Sequence, residues 1–255
     1  MVTTHHTTER DEEITVSFAG GATVPATLAG RDPQTDLAVL RIENGQGQPA
    51  ALGDAEQLRP GHVVLTVGRG PSVSLGAVSS TGGAWRTWRG GQVDQMIQLD
   101  VSIYYGFSGG ALVNAEGKIA GLNTSALSRG AAIAIPAATV SRVVEEILKR
   151  GHIARGYLGV GMQPVRLPSV GQRLNLDPAA GVIILSVEPD SPAEKAGLLV
   201  GDVIVALNGK TVGDTEDVQA VLDPSSVGKA LQAKLVRGGQ LIEIPVVVGE
   251  RPRGY

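Results

Sequence analysis

Residues 106–114 read Gly-Phe-Ser-Gly-Gly-Ala-Leu-Val-Asn, a serine between glycines that leads directly into an apolar segment. A serine hydroxyl is a weak nucleophile, so acyl transfer needs it exposed on a tight turn, beside a base and close to backbone N–H groups that receive the oxyanion. The glycines around Ser108 permit such a turn and let a substrate approach the backbone. An ordinary glycine-rich hairpin turn has the same sequence pattern, so this stretch indicates a fold only together with the rest of the chain.

Two segments upstream supply the residue types that such a serine needs. A Thr-Thr-His-His segment ends at His6, and a Thr-Asp-Leu-Ala-Val-Leu segment places Asp36 at the start of an apolar run. The chain order His, Asp, Ser is that of chymotrypsin-like proteases and differs from the order in subtilisins and α/β-hydrolases.

The composition agrees with a β-rich chain and excludes several kinds of chemistry. The 255 residues include 35 Gly, 14 Pro and no Cys, and the net charge is -3. Many turns between short strands explain the excess of Gly and Pro, and the lack of Cys excludes thiol catalysis and Cys-ligated metals. The four His are too scattered for a metal cluster, so we expect no metal and no cofactor. The charge gives no reason to expect nucleic acid as a partner, and no apolar run approaches the roughly 18 residues of a membrane span.

Short apolar segments bounded by Gly, Asp or Pro predict the strands of a first, barrel- or sandwich-like domain. These segments are Ile14–Phe18, Thr23–Ala29, Leu37–Ile42, His62–Val67, Met96–Leu99, Ala111–Val113, Ile119–Asn123 and Ala131–Ile135. A helix over 137–150 follows, because apolar residues recur there at helical spacing between Pro136 and Gly151. Its predicted apolar stripe consists of Val140, Val143, Val144, Ile147 and Leu148. We therefore expect a first domain over 1–150.

The second part, 156–250, has the pattern of an α+β module. Ser191-Pro192-Ala193-Glu194 is a capping box with Pro at the first helical position. Val203–Leu207 predicts a strand that ends in the tight turn Asn208-Gly209. A second short helix follows Asp214 or Thr215, and a hairpin crosses the Gly238-Gly239 pair.

Taken together, these motifs resemble one family along nearly the whole chain. The stretches Asp32–Leu40, Ala51–Asp54, Phe107–Asn114 and Ile135-Pro136 resemble the protease domain of the HtrA/DegP family. The stretches Arg155–Val160, Ser191–Ala193 and Gly201-Asp202 with Leu207-Asn208-Gly209 resemble the PDZ domain of that family. The resemblance implies a mostly β fold, in which a chymotrypsin-like double β-barrel precedes an α+β PDZ domain.

The resemblance also assigns roles in the first domain. It implies that His6 is the general base, with its neighbour His5 as the alternative, that Asp36 orients the base and that Ser108 is the nucleophile. The backbone N–H groups of Gly106 and Ser108 form the implied oxyanion hole. Ser102, six residues before the nucleophile, lies at the implied base of the specificity pocket.

Because Ser102 carries no acidic group, the pocket should not favour Arg or Lys. Ile133 resembles the wall of the same pocket, and an apolar pocket of modest size should favour small aliphatic side chains.

For the second domain, the resemblance implies a site for the C-terminal carboxylate of a peptide. Tyr157, Leu158, Gly159 and Val160 match the loop whose N–H groups receive that carboxylate. Val218 and Leu222 stand at i and i+4, so they face the peptide groove or, alternatively, pack the core.

The chain departs from the family pattern at its start, because Met1 falls within the strand that leads to the His segment. We therefore expect the first barrel to lack its opening strands, and a homotrimer only where those residues are present.

Three functional hypotheses follow. The first is a serine endopeptidase of protein quality control in the cell envelope or periplasm, which cleaves unfolded polypeptides and binds C-terminal tails at its PDZ domain. The second is a catalytically impaired, truncated relative that acts as a PDZ peptide-binding protein. The third and weakest is an esterase that uses the same acyl-transfer residues.

Overall fold

The computed structural model describes residues 1–8, 13–18, 20–43, 47–70, 72–101, 106–128 and 130–252. The chain divides into two compact units, Met1–Ile153 and Ala154–Tyr255. The functional domains expected over 1–150 and 156–250 stay a prediction. None of the helices in the described part of the chain is long and apolar enough to cross a bilayer.

Strands form most of the first unit. They are β1 Val2–Thr4, β2 Thr15–Ser17, β3 Thr23–Asp32, β4 Leu37–Ile42, β5 Val63–Val67, β6 Val73–Gly82, β7 Trp85–Arg86, β8 Gln92–Val93, β9 Met96–Asp100, β10 Ala111–Asn114, β11 Ile119–Thr124 and β12 Ala132–Pro136. Single 3-10 turns cover His5–Thr7 and Ala55–Gln57, and the helix α1 covers Ala137–Arg150.

These strands make one closed barrel and one open sheet. The barrel has the order β10-β11-β12-β9-β6-β5, and the sheet has the order β1-β4-β3-β2. All strand pairs in both are antiparallel, and β7 pairs with β8 in a separate hairpin. Among the described residues, the mostly β, barrel-containing fold predicted from the sequence is therefore confirmed for this unit.

Helix α1 joins the open sheet to the barrel. Val140, Val143 and Ile147 are buried against Leu37 of β4 and Ile135 of β12. The helix ends where predicted, because Gly151 adopts a left-handed conformation at φ 78° and its N–H donates to the Ile147 carbonyl.

Parts of the first unit differ from the sequence-based expectation. Leu148, predicted to belong to the buried stripe of α1, is 58% exposed. Strand β6 was not predicted, because Gly76 and several Ser residues interrupt its apolar pattern.

The second unit combines a main sheet with three short helices. Its strands are β13 Gly156–Tyr157, β14 Val160–Arg166, β15 Ala180–Val187, β16 Val203–Leu207, β17 Lys210–Thr211, β18 Ala230–Arg237, β19 Gln240–Val247 and β20 Gly249–Glu250. Its helices are α2 Pro168–Arg173, α3 Pro192–Ala196 and α4 Thr215–Val221, with a 3-10 turn at Pro224–Ser226. The main sheet has the order β14-β15-β16-β18-β19, with β17 paired to β16, and β13 pairs with β20.

Local sequence rules explain the turns and caps of this unit. The Ser191 hydroxyl accepts from the Glu194 N–H, and Asp214 caps α4 in a reciprocal capping box. Asn208 and Gly209 both have positive φ, and so do Gly238 and Gly239, as type I′ hairpin turns require.

Val218 of α4 packs in the core of the second unit. Its side chain is fully buried among Leu158, Leu207 and Leu231, with no exposed surface. The side chain thus packs in the core, which was one of the two expectations, and a role of Val218 in peptide binding stays a prediction.

Candidate active site

The His6 ring is hydrogen-bonded to the carboxylate of Asp36. The distance from His6 Nδ1 to Asp36 Oδ2 is 2.8 Å and to Oδ1 3.0 Å. The backbone N–H of His6 also donates to Asp36 Oδ1 at 3.0 Å. The His6 side chain is 29% exposed and that of Asp36 only 3%, so the imidazole joins a buried carboxylate to the surface of the unit.

The turn between β3 and β4 holds Asp36 in place. Asp36 has φ 58°, a left-handed conformation that is uncommon for a non-glycine residue. Its carbonyl accepts from the His5 N–H at 3.0 Å, and the preceding Thr35 hydroxyl donates to Asp32 at 2.7 Å. These bonds fix the peptide units around Asp36, so its side chain is directed at His6.

The pKa of Asp36 lies below its ordinary value. Burial acts to raise this pKa, but hydrogen bonds from His6 and from the Thr124 hydroxyl outweigh the burial. Asp36 is therefore an ionised carboxylate at neutral pH.

Of the two neighbouring histidines, His6 is the one whose ring contacts the Asp36 carboxylate. The His5 side chain is buried, and its carbonyl accepts from the N–H and the hydroxyl of Thr8. The choice of His6 over His5 as the general base stays a prediction.

Ser108 lies on a tight turn between the end of β9 and β10. Gly109 in this turn has φ 83°, and a Cβ atom there would lie 2.3 Å from the Thr3 hydroxyl, so the turn packs against β1 just ahead of the histidines. The Gly109 N–H donates to the Asn123 carbonyl, and the Gly110 N–H donates to the Phe107 carbonyl. One of these hydrogen bonds closes the turn, and the other joins it to β11.

Two hydroxyl residues at the end of β11 join Asp36 to Ser108. The Thr124 hydroxyl donates to Asp36 Oδ2 at 2.6 Å, and the next residue, Ser125, lies with its Oγ 3.1 Å from Ser108 Oγ. The N–H of Ser125 also donates to Ser108 Oγ at 3.2 Å. Asp36 therefore binds His6 directly and Thr124, whose chain neighbour Ser125 binds Ser108; neither Thr124 nor Ser125 was predicted from the sequence as a site residue.

Three further residues of the first unit were predicted to form the oxyanion hole and the specificity pocket, and the structure describes two of them. Gly106 has φ 94°, and its carbonyl accepts from the Arg69 N–H at 2.7 Å. Ile133 is buried on β12, where it pairs with Thr124 on one side and Gln98 on the other. Ser102 lies outside the described residues.

In the second unit, the predicted peptide-binding loop adjoins an open sheet edge. The loop runs from Tyr157 to Val160 and turns at Gly159, with φ 77°. The Tyr157 hydroxyl donates to Glu188, and the Gly159 carbonyl accepts from the N–H of Glu188. The loop leads into β14, which is one of the two edge strands of the main sheet, and Leu222 beyond α4 is partly buried against the core of the second unit.

Comparisons with known proteins agree with this arrangement. A trypsin-like peptidase domain family matches residues 1–122, and a PDZ domain family matches residues 156–248. The chain is 35% identical over 263 residues to a Brucella suis biovar 1 (strain 1330) protein named probable periplasmic serine endoprotease DegP-like, covering 99% of this chain and 50% of that protein. It is 32% identical over 262 residues to a Chlamydia pneumoniae protein of the same name, covering 99% of this chain and 53% of that protein. The chain thus spans about half the length of these curated relatives.

Solved structures give the same result. A structure described as HtrA-type protease AlgW with decapeptide superposes with a TM-score of 0.81 at 32% identity, covering 98% of this chain and 79% of that one. The serine endoprotease from Yersinia pestis superposes with a TM-score of 0.75 at 30% identity, covering 98% of this chain and 85% of that one.

Fold and site together define a trypsin-like peptidase domain followed by a PDZ domain. Identity, coverage and structural similarity narrow this class further. The chain belongs to the HtrA/DegP family of serine proteases.

Proposed function

We propose that this chain is a serine endopeptidase of protein quality control, which cleaves unfolded or damaged polypeptides through an acyl-enzyme. The observation that carries the proposal is the hydrogen-bonded group in which the buried Asp36 carboxylate binds His6 Nδ1 at 2.8 Å. The same carboxylate is connected through Thr124 and Ser125 to the serine on the glycine-rich turn.

In this mechanism Asp36 selects the tautomer of His6. Because Asp36 is ionised, it accepts a hydrogen bond from Nδ1–H, so the proton stays on Nδ1 and the lone pair of the imidazole is on Nε2. That lone pair removes the proton of the Ser108 hydroxyl as its oxygen attacks the scissile carbonyl. Asp36 then stabilises the imidazolium that forms, without taking the proton itself.

The backbone N–H groups of Gly106 and Ser108 are the proposed donors to the oxyanion that develops in this step. His6 next gives its proton to the departing amine, and the acyl-enzyme forms on Ser108 Oγ. A water molecule, deprotonated by the same imidazole, hydrolyses this ester and restores the free hydroxyl. Ile133, buried directly beside Thr124, supports an apolar pocket for a small aliphatic side chain before the scissile bond.

The second unit is proposed to bind C-terminal tails of substrates. Among the strands that the structure describes, β14 lies at one end of the main sheet and pairs with β15, so an extended peptide can add to its outer edge as a further strand. The loop from Tyr157 to Val160 precedes that edge, so its N–H groups are the proposed receptor for the terminal carboxylate. The relatives are named periplasmic endoproteases, which supports a location in the cell envelope for this chain.

A fluorophosphonate probe tests the proteolytic mechanism directly. We expect the probe to label Ser108, and we expect the chain to degrade a reduced, carboxymethylated protein and to spare its folded form. Ser108→Ala should abolish both reactions, and His6→Ala should slow labelling about 10³-fold or more.

His5→Ala is the matched control for the choice of base, and it should keep most of the labelling rate. A folded chain that the probe does not label would contradict the proposed protease and would leave peptide binding as the function of this chain.

Peptide binding is measured separately on the Ser108→Ala chain, which cannot consume the ligand. Peptides with a free C-terminal carboxylate should bind about tenfold or more tightly than their amidated forms, because amidation removes a charge-assisted hydrogen bond. Equal affinity of the two forms would contradict the proposed carboxylate loop.

A further inference from the structure

Ser125 stands at the end of β11, immediately after the residue that holds Asp36. The Thr124 hydroxyl accepts from the Ala126 N–H at 3.0 Å, so its own proton is directed to Asp36. Ser125 instead contacts the nucleophile, through its hydroxyl at 3.1 Å and its N–H at 3.2 Å. Within the described residues, these are the hydrogen bonds that the Ser108 hydroxyl makes. Thr124 and Ser125, which are consecutive in the chain, thus bind Asp36 and Ser108 of the proposed triad.

The hydrogen-bonding capacity of Ser108 Oγ decides what this contact does. A hydroxyl oxygen carries one proton and two lone pairs, and the Ser125 N–H occupies one of those lone pairs. If the Ser125 hydroxyl donates as well, both lone pairs are engaged and none is left for attack on a carbonyl. If Ser108 donates instead, the proton that the base must remove is bound to Ser125. In the first case one of the two bonds from Ser125 must break before Ser108 Oγ can attack, and in the second case the bond between the two hydroxyl oxygens must break.

We infer that Ser125 is a positioning residue that holds the Ser108 hydroxyl in a resting arrangement and lowers its reactivity. The inference rests on the proposed protease function and adds a built-in restraint on its acylation step. The side chain of Ser125 is exposed, so an arriving acyl group reaches both hydroxyls from solvent and displaces the contact. A substitution of Ser125 keeps the hydrogen bond from its backbone N–H to Ser108 Oγ. Only the contact between the two hydroxyls is removed.

The test measures how fast a fluorophosphonate labels the full chain and its Ser125→Ala variant. We expect the maximal labelling rate of Ser125→Ala to rise about fivefold, the factor that corresponds to one neutral hydrogen bond. The probe concentration at half-maximal rate should stay unchanged, because Ser125 acts on the nucleophile and not on probe binding. Ser125→Thr restores the hydroxyl and should return the rate to that of the parent chain.

Ser79→Ala, at an exposed serine of β6, is the matched control and should label like the parent. If the parent chain is labelled at Ser108 but Ser125→Ala is labelled at the same rate or more slowly, the inference is wrong and the protease proposal stands. If neither chain is labelled although both are folded, the protease proposal is wrong, and the inference with it.

Discussion

Thr124 and His6 bind the same oxygen of Asp36. The Thr124 hydroxyl donates to Oδ2 at 2.6 Å, and His6 Nδ1 lies 2.8 Å from that atom. Because this carboxylate is almost completely buried, each donor replaces water that an ionised group would otherwise need. The geometry of the imidazole and the ionisation of Asp36 therefore depend on a residue 88 positions away in the chain.

Thr124→Val removes this donor while it keeps a branched side chain of similar shape. We expect the pKa of Asp36 to rise towards its ordinary value and the unit to lose about 2 kcal/mol of stability, the cost of one hydrogen bond to a charged group. Urea unfolding followed by tryptophan fluorescence measures this loss, because both tryptophans, Trp85 and Trp88, lie in the first unit. Thr124→Ser keeps the hydroxyl and should lose less than half as much, and equal losses in both variants would count against the hydrogen bond.

Asp36→Asn tests whether the carboxylate selects the tautomer of His6. An amide can present its NH₂ group to Nδ1, which would then hold the lone pair and leave the proton on Nε2. The Ser108 labelling rate should fall about 10⁴-fold at neutral pH, with the fold retained. A fall of less than tenfold would show that the chain does not use the carboxylate in this way.

The pH dependence of stability follows from the lowered pKa of Asp36. The unfolded chain has an ordinary aspartate pKa of about 3.9, and the folded value lies below it. The stabilisation is therefore complete above about pH 5 and is lost as the pH falls through the folded pKa. Urea midpoints of the parent chain and Asp36→Asn, followed by tryptophan fluorescence, should thus converge between pH 5 and pH 2. A difference that stays constant over that range would contradict this assignment.

Local features of the fold were predictable from the sequence, because they depend on neighbouring residues. The extent of α1, the cap at Ser191 and the turn at Asn208-Gly209 all follow from short-range rules. Family resemblance selected His6, whose ring does lie on Asp36.

The contacts of Thr124 and Ser125 were not predictable, because they exist only after the barrel has closed and β11 lies beside the Ser108 turn. Val218 is a case in which the local sequence pattern was ambiguous. Its spacing fits a groove or a core equally well, and only the packing of α4 decides between them.

Arg237 on β18 pairs with the buried carboxylate of Asp202. Its Nε and Nη2 lie 2.7 Å from the two carboxylate oxygens, and the Leu199 N–H donates to one of them at 2.8 Å. Burial acts to raise the pKa of Asp202, but the bonds from Arg237 and Leu199 lower it below its ordinary value. We expect Arg237→Met to destabilise the second unit by about 2 kcal/mol. This is less than the 3–5 kcal/mol typical of a fully buried pair, because the Arg237 side chain is 34% exposed.

Hydrogen exchange of peptides that cover β16 and β18 reports on this unit in the full chain. Exchange there should accelerate in Arg237→Met, while peptides from α1 should exchange as in the parent. Lys149→Met is the matched control, because it removes a positive charge from an exposed ion pair. Hydrogen exchange in β16 and β18 should be unchanged in this variant. Unchanged protection in Arg237→Met would show that the pair does not stabilise the sheet.

Gly159→Ala tests whether the turn before β14 forms the peptide-binding loop. A Cβ atom at this position would lie 2.3 Å from Ser191 Cβ, and φ 77° is itself unfavourable for alanine. The loop must therefore move away from Ser191, and we expect about a tenfold or larger loss of affinity for peptides with a free carboxylate, measured by fluorescence polarisation.

Gly197→Ala is the matched control, because Gly197 has nearly the same φ of 78° but open space around its Cβ position. It carries the backbone strain without the clash, so it should lower stability by about 1–2 kcal/mol and leave peptide affinity within twofold. Equal losses of affinity in both variants would assign the effect to general destabilisation and not to the shape of the loop.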